Sequence, residues 1–206
     1  MGQRRIKDSE RCPNCKIKKI WCYCDRLTKL DSFHYVSVIM HFREQFLTSN
    51  SAQLIPQTLK NGRLFIKNRE AMIEDIDQLQ AISGKAYILF PGDSSIPIEE
   101  ISPCEKIHLI VPDGTWSQAR KMGYRDSFLK ELPRVSVKPS ASSRYYLRKQ
   151  GREDGVCTYE AIAYAMKHLE GEKFFNSMME QFEIMMKVIH KSRNGISVRD
   201  RQWPEK

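Results

Sequence analysis

Asp113, Gly114 and Thr115, followed by Trp116, stand where the apolar run 107–111 ends and a helical pattern begins. A carboxylate at such a junction can take a proton or hold a cation, and a glycine beside it lets backbone approach a ligand closely. In an open α/β sheet the junction lies beyond the carboxyl end of a strand, where ligands collect. The same Asp113 and Thr115 can equally cap the helix that follows, because both side chains accept hydrogen bonds from first-turn amides. A second chemical signal lies near the N-terminus, where Cys12-Pro13-Asn14-Cys15 and Cys22-Tyr23-Cys24 gather four of the six cysteines in one short window. Two thiolate pairs joined by a six-residue loop can converge on one tetrahedral zinc, with the first pair forming a knuckle whose amides point at sulfur. Four sulfurs complete the coordination, so such a site is structural; an iron–sulfur cluster is the other metal group this donor set suits. Arg11, Lys16, Lys18 and Lys19 are placed to offset the negative charge of the thiolates. Cys104 and Cys157 stand alone and read as inert buried thiols.

These residues need elements to position them. Apolar runs at 34–40, 63–66, 86–90, 106–111 and 134–137 read as strands. Helical or irregular stretches separate them, an alternation that predicts an α/β fold with a largely parallel sheet flanked by helices. After the first strand comes a polar turn and the amphipathic run 50–55. Two helices close the chain. The first, over 158–169, has Thr158 as a cap-type residue and Glu160 in its first turn. The second, over 172–190, sets Phe175, Met178, Met179, Phe182, Met185, Met186 and Ile189 at helical spacing, as core or as an oligomer face, and Asn194-Gly195 ends it. The division that follows is a small N-terminal zinc-binding module over residues 1–30 and a catalytic domain over residues 31–206.

A formal charge of +9 favours an acidic macromolecular partner, and nucleic acid over membrane, because no basic amphipathic helix stands out. No apolar run approaches the roughly 20 residues needed to cross a bilayer. Met1 to Ile6 carries neither a signal-peptide core nor a myristoylation pattern, so the expected compartment is the cytoplasm, where cysteines are thiols or metal ligands. Arg120, Lys121 and Arg125 follow Trp116 on its helix, and Arg144 and Arg148 flank Tyr145 and Tyr146. Arginines beside stackable rings suit RNA. His41, Glu44 and Asn50 form a polar set just past the first strand; they supply too few ligands for a metal and either order a loop or touch RNA. The histidines at 34, 108, 168 and 190 have no partner pattern and read as structural.

Taken in chain order, six segments resemble the DTW-domain family of tRNA-uridine aminocarboxypropyltransferases. They are the cysteine cluster, His41 with Glu44 and Asn50, Leu89-Phe90-Pro91-Gly92, Asp113-Gly114-Thr115-Trp116 with Ala119 and Met122, Ser143-Arg144-Tyr145, and Cys157-Thr158-Tyr159-Glu160-Ala161. The resemblance implies a SPOUT-like knotted fold. It also implies transfer of the 3-amino-3-carboxypropyl group of S-adenosylmethionine to N3 of a tRNA uridine, with methylthioadenosine released. The cofactor-binding loops it implies fall on Phe90, Pro91 and Gly92, on Pro112, Gly114 and Thr115, and on Tyr145, Leu147, Thr158 and Glu160. Asp113 is the candidate catalytic residue, either as the base for the N3 proton or as a ligand of the cofactor's amino group. Arg120, Lys121, Arg125, Arg144, Arg148, His41 and Asn50 are the candidate RNA contacts, and zinc the candidate metal for Cys12, Cys15, Cys22 and Cys24. Two other readings stay open: an S-adenosylmethionine-dependent RNA methyltransferase, and a non-catalytic zinc-containing RNA-binding protein. Oligomeric state is not legible.

Overall fold

Runs such as 107–111 are apolar at every position because they are covered on both faces, and a strand covered on both faces sits inside a parallel sheet. The computed structural model, which describes residues 10–70, 72–92, 94–147 and 155–194, has such a sheet. Its strands are β1 (Tyr35–His41), β2 (Gly62–Lys67), β3 (Lys85–Leu89), β4 (Ile96–Pro97), β5 (Ile107–Asp113) and β6 (Arg134–Ser136). They lie in the order β2-β1-β5-β3-β6-β4, and every pairing between them is parallel. All seven residues of β5 are buried, as are the inner five of β1.

Side chains alternate across the pleat, and the two faces feed two apolar layers. Val36, Val38 and Met40 of β1, Tyr87 and Leu89 of β3, and Ile107, Leu109 and Val111 of β5 share a core with α4 (Thr158–Glu170) and α5 (Glu172–Arg193). Ile39, Ile88 and Ile110 point the other way, to Ala119 and Met122 of α3 (Trp116–Arg125). The shorter helices are α1 (Ile55–Thr58) and α2 (Ile76–Gln80). The Met and Phe stripe of α5 is core: all seven of its residues are buried, and Phe182 stacks on Tyr159 and Tyr145 at 5.3 and 5.9 Å.

Chain order explains where a site can form. From β1 the chain steps outward to β2, and β3 then lies on the far side of β5. Connections therefore diverge beyond the carboxyl ends of β1 and β5, where Met40 is in register with Asp113, and a crevice opens there.

The expected elements are present with shifted ends, and some details differ. The amphipathic run 50–55 is a 3-10 turn, Ser51–Leu54, leading into α1. β4 escapes a pattern reading because it is two exposed residues, one of them proline, on the sheet edge. Cys104 is exposed, not buried. Residue 195, expected to end α5, lies outside the described residues. The cysteine segment is seated on the main body: Cys12, Cys15, Ile17, Trp21 and Tyr23 belong to the same core as α5, and the Thr28 amide donates to Gln181 Oε1 at 2.8 Å. Among the described residues no helix is long and apolar enough to cross a membrane.

His108 is buried in β5 with Nε2 2.8 Å from Ser37 Oγ. Burial pushes its pKa down from 6.5 to about 4. The unfolded chain takes up this proton near 6.5 while the folded chain resists it, so stability is intact above that pH and falls as pH drops toward 4, by about 3 kcal/mol for this group. We expect the melting temperature of His108→Gln to fall less than that of the wild type between pH 7 and pH 4.5; parallel curves would rule out His108 as the source.

Candidate active site and cysteine cluster

The last residue of β5 is Asp113, 4% exposed. It does not cap α3. Thr115 does: its Oγ1 accepts from the Gln118 amide at 3.3 Å, and its own amide donates to Gln118 Oε1 at 2.7 Å, a closed capping box. With the helix end satisfied by Thr115, the carboxylate of Asp113 turns into the crevice. Oδ2 accepts from Asn50 Nδ2 at 2.7 Å and Oδ1 from Thr158 Oγ1 at 2.6 Å. Asn50 is itself fixed, because its Oδ1 accepts from the Ala52 amide at 2.9 Å. Gly114 keeps this corner open: a Cβ there would lie 2.9 Å from Gln118 Oε1 and 3.3 Å from His41 Cβ, and would press on the capping box.

The crevice encloses a cavity of about 370 Å³. Of the expected cofactor residues, Phe90, Pro91, Pro112, Gly114, Thr115, Tyr145 and Thr158 line it beside Asp113. Three expected residues stand behind that wall. Gly92 packs on Tyr124, whose Oη would meet a Cβ at position 92. Leu147 is half-buried against the α4–α5 core, and its carbonyl accepts from Arg193 Nη1 at 3.1 Å. Glu160 is buried and acts as a staple, accepting from Ser143 Oγ at 2.6 Å, the Arg144 amide at 2.7 Å and the Cys157 amide at 3.0 Å. That last bond corrects the cap of α4: the N-cap is Cys157, which leaves the Thr158 hydroxyl to serve Asp113. Cys157 lines the cavity, and burial first, then Glu160, pushes its thiol well above the usual range. Tyr145 stacks on Phe182 and donates its hydroxyl proton to the Ser49 carbonyl. Phe90 and Trp116, 5.5 Å apart, make an aromatic flank, with Trp116 40% exposed.

Of the expected RNA contacts, Arg120, Lys121, Arg125 and Arg144 are exposed. Asn50 is buried, its amide engaged with Asp113, so it builds the crevice instead of facing a macromolecule. His41 is half-buried beside Gly114, and burial first, then Arg43, holds its pKa below the usual value against the pull of Glu44. Arg148 lies outside the described residues. Two cations were not legible: Arg43 and Arg69 both sit 5.5 Å from the Phe42 ring, which stacks on His41 at 4.6 Å. Ser49 and Ser51 of the cavity wall were missed for the same reason: plain polar residues in a turn carry no pattern.

The four sulfurs of Cys12, Cys15, Cys22 and Cys24 lie within 4.8 Å of one another. Cys12 and Cys24 are 3.7 Å apart, and Cys15 and Cys22 are 3.9 Å apart. A tetrahedron with metal–sulfur arms of 2.3 Å has edges of about 3.8 Å, so the cluster is already shaped to hold a metal ion. Burial works to raise the Cys12 thiol, but the amides of Cys15 and Asn14 aimed at its sulfur bring it down to about 7, the expected knuckle. Cys15, more deeply buried, is pushed up to about 12.

A parallel sheet with an aspartate-centred crevice beyond its strands, joined to a four-sulfur cluster, defines the class as an α/β protein with a cavity of small-molecule size. The DTW domain model matches residues 9–190, and the chain belongs to the DTW-domain family. It is 27% identical over 176 residues to tRNA-uridine aminocarboxypropyltransferase 2 of Macaca fascicularis, covering 82% of this chain and 59% of that protein. With the Mus musculus protein of the same name it shares 28% over 181 residues, covering 80% of this chain and 59% of the relative. The chain thus spans about 59% of the length of these relatives. Among solved structures, that of the SAM-dependent rRNA:acp-transferase Tsr3 from Vulcanisaeta distributa matches with a TM-score of 0.47 and 16% identity, over 78% of this chain and 80% of that one.

Proposed function

We propose that this chain is a cytosolic transferase that moves the 3-amino-3-carboxypropyl group of S-adenosylmethionine to N3 of a tRNA uridine. The observation that carries the reading is the buried Asp113 carboxylate, held by Asn50 and Thr158 at the wall of a 370 Å³ cavity. That volume suits a small-molecule co-substrate. Family membership and the names of the relatives support the reaction class. In the reaction, the N3 lone pair attacks the carbon that joins the aminocarboxypropyl chain to sulfur. The carbon–sulfur bond breaks, its electron pair stays on sulfur, and neutral methylthioadenosine leaves. Which of the three sulfonium carbons reacts depends on which one is held in line with N3.

Asp113 takes the N3 proton. The Phe90–Trp116 flank offers the apolar surface an adenine needs, and the backbone at Pro91 and at Pro112–Gly114 offers its polar edges. A second role for Asp113 is favoured by one observation: both of its oxygens already accept hydrogen bonds, and an anion so fixed suits the amino group of the co-substrate. The Asp113→Ala protein separates the two roles, since only the second predicts lost S-adenosylmethionine affinity. In the module expected over residues 1–30, of which 1–9 lie outside the described residues, the four cysteines hold zinc, which stabilises the fold and takes no part in the chemistry. Arg120, Lys121, Arg125 and Arg144 face the RNA.

The test incubates the protein with unmodified tRNA and S-adenosylmethionine, digests the RNA and weighs its nucleosides. Aminocarboxypropyl-uridine with methylthioadenosine is the expected pair. Methylated uridine would replace the transferase with a methyltransferase, and failure to bind S-adenosylmethionine would leave an RNA-binding protein.

A further inference from the structure

We infer that a second cavity, between the cysteine cluster and the sheet at β1 and β2, holds an unstacked nucleotide of the same RNA whose uridine enters the Asp113 crevice. This rests on the reading that the chain acts on tRNA. The cavity measures about 560 Å³ and is floored by Met40, so it is larger than the first and apolar at its base. Phe46 stands at its rim, 74% exposed, the most exposed of the large apolar side chains among the described residues. Among the described residues no ring stacks on it. Lys16 and Lys29 line the same cavity, and neither is paired with a carboxylate among the described residues. A bare aromatic face beside two unpaired ammonium groups is what a base and its phosphate require together: the ring stacks the base and the cations hold the backbone.

The wall chemistry adds to this. Gln53 Nε2 donates to the carbonyls of Gln45 and Leu47, at 3.2 and 3.1 Å, and Gln57 Nε2 donates to the Gln53 carbonyl at 2.9 Å. Gln57 Oε1 accepts from Cys24 Sγ at 3.1 Å, which ties the cysteine cluster to this wall, and Gln53, its amide nitrogen engaged by backbone, keeps its side-chain oxygen as an acceptor suited to the N–H edge of a nucleobase. An apolar protein helix would have no use for the lysines, and a free anion would have none for Phe46.

Both cavities share one wall. Residues 42–50 give Glu44, Ser49 and Asn50 to the first and Gln45 and Phe46 to the second, so two nucleotides of one splayed strand can occupy both. Cys24 lines the second cavity, which makes the cysteine cluster a wall of the RNA site and assigns it a part in substrate choice.

The test uses the whole chain, an unmodified tRNA transcript and S-adenosylmethionine. Phe46→Ala is expected to raise the KM for tRNA about tenfold, with kcat at saturating tRNA and S-adenosylmethionine affinity unchanged. Phe46→Trp is expected to restore the KM, and Lys29→Ala to reduce the salt dependence of tRNA binding by about one counterion. An unchanged KM for Phe46→Ala, in a wild type that modifies the tRNA, overturns the inference while leaving the transferase intact. A loss that Phe46→Trp does not recover also overturns it, by assigning Phe46 to folding. A wild type that neither binds nor modifies the transcript overturns the transferase reading, and this inference with it.

Discussion

Asp113→Ala protein is expected to fold and to lose transferase activity by about 10²- to 10⁴-fold, the range for removing a positioned base. The substitution removes the acceptor of the half-buried Thr158 hydroxyl and leaves the buried Asn50 Nδ2 with only its 3.4 Å bond to Glu44 Oε2, a partial loss that costs less than the roughly 1–3 kcal/mol of a fully stripped buried donor. A modest fall in melting temperature should therefore accompany the loss. Asp113→Asn is not a silent replacement. The Asn50 side chain is locked by the Ala52 amide, so the new amide must keep its oxygen on Asn50 Nδ2 and turn its nitrogen to Thr158, whose hydroxyl then accepts and must send its own proton elsewhere. Calorimetric titration with S-adenosylmethionine then divides the roles: retained affinity with lost turnover marks a base, and lost affinity marks an anchor. Retained turnover in both variants would remove Asp113 from the chemistry altogether.

The second large effect concerns the metal. Stripping the cluster with a chelator, or replacing Cys24 with serine, should leave the sulfur tetrahedron without a centre. Trp21 and Tyr23, which belong to the core shared with α5, would lose the frame that holds them there. Apparent binding energies of structural zinc reach about 10–16 kcal/mol, comparable to the whole stability of a domain, so the melting temperature should fall by at least 10 °C or so. Metal analysis beside thermal unfolding checks this. One zinc per chain with a large drop on removal is expected; a protein purified without metal and melting unchanged after chelation would show that packing alone seats the segment.

Legibility in the sequence followed physical range. The strands of the sheet centre were readable because burial on both faces makes them continuously apolar, and the long helix because its Met and Phe stripe repeats at helical spacing. The cysteine cluster was readable because its four thiols fall close together in sequence, in pairs spaced as metal-binding knuckles are. Three features were not. Asp113 and Thr115 looked alike as caps, and only the capping box between Thr115 and Gln118 frees Asp113 for the crevice. Glu160 looked like a co-substrate contact, but its three donors come from positions 143, 144 and 157, a staple no local pattern announces. Arg43 and Arg69 meet over Phe42 only because β1 and β2 end side by side.

The partners of Asp113 are drawn from 63 residues before it and 45 residues after it. Contacts of such span close late in folding, because large loops must be ordered first. A nascent chain still lacking Thr158 therefore carries the central strand but an unassembled carboxylate. On the transferase reading proposed above, such a chain is not yet competent, and its crevice is completed only when the helix that carries Thr158 docks.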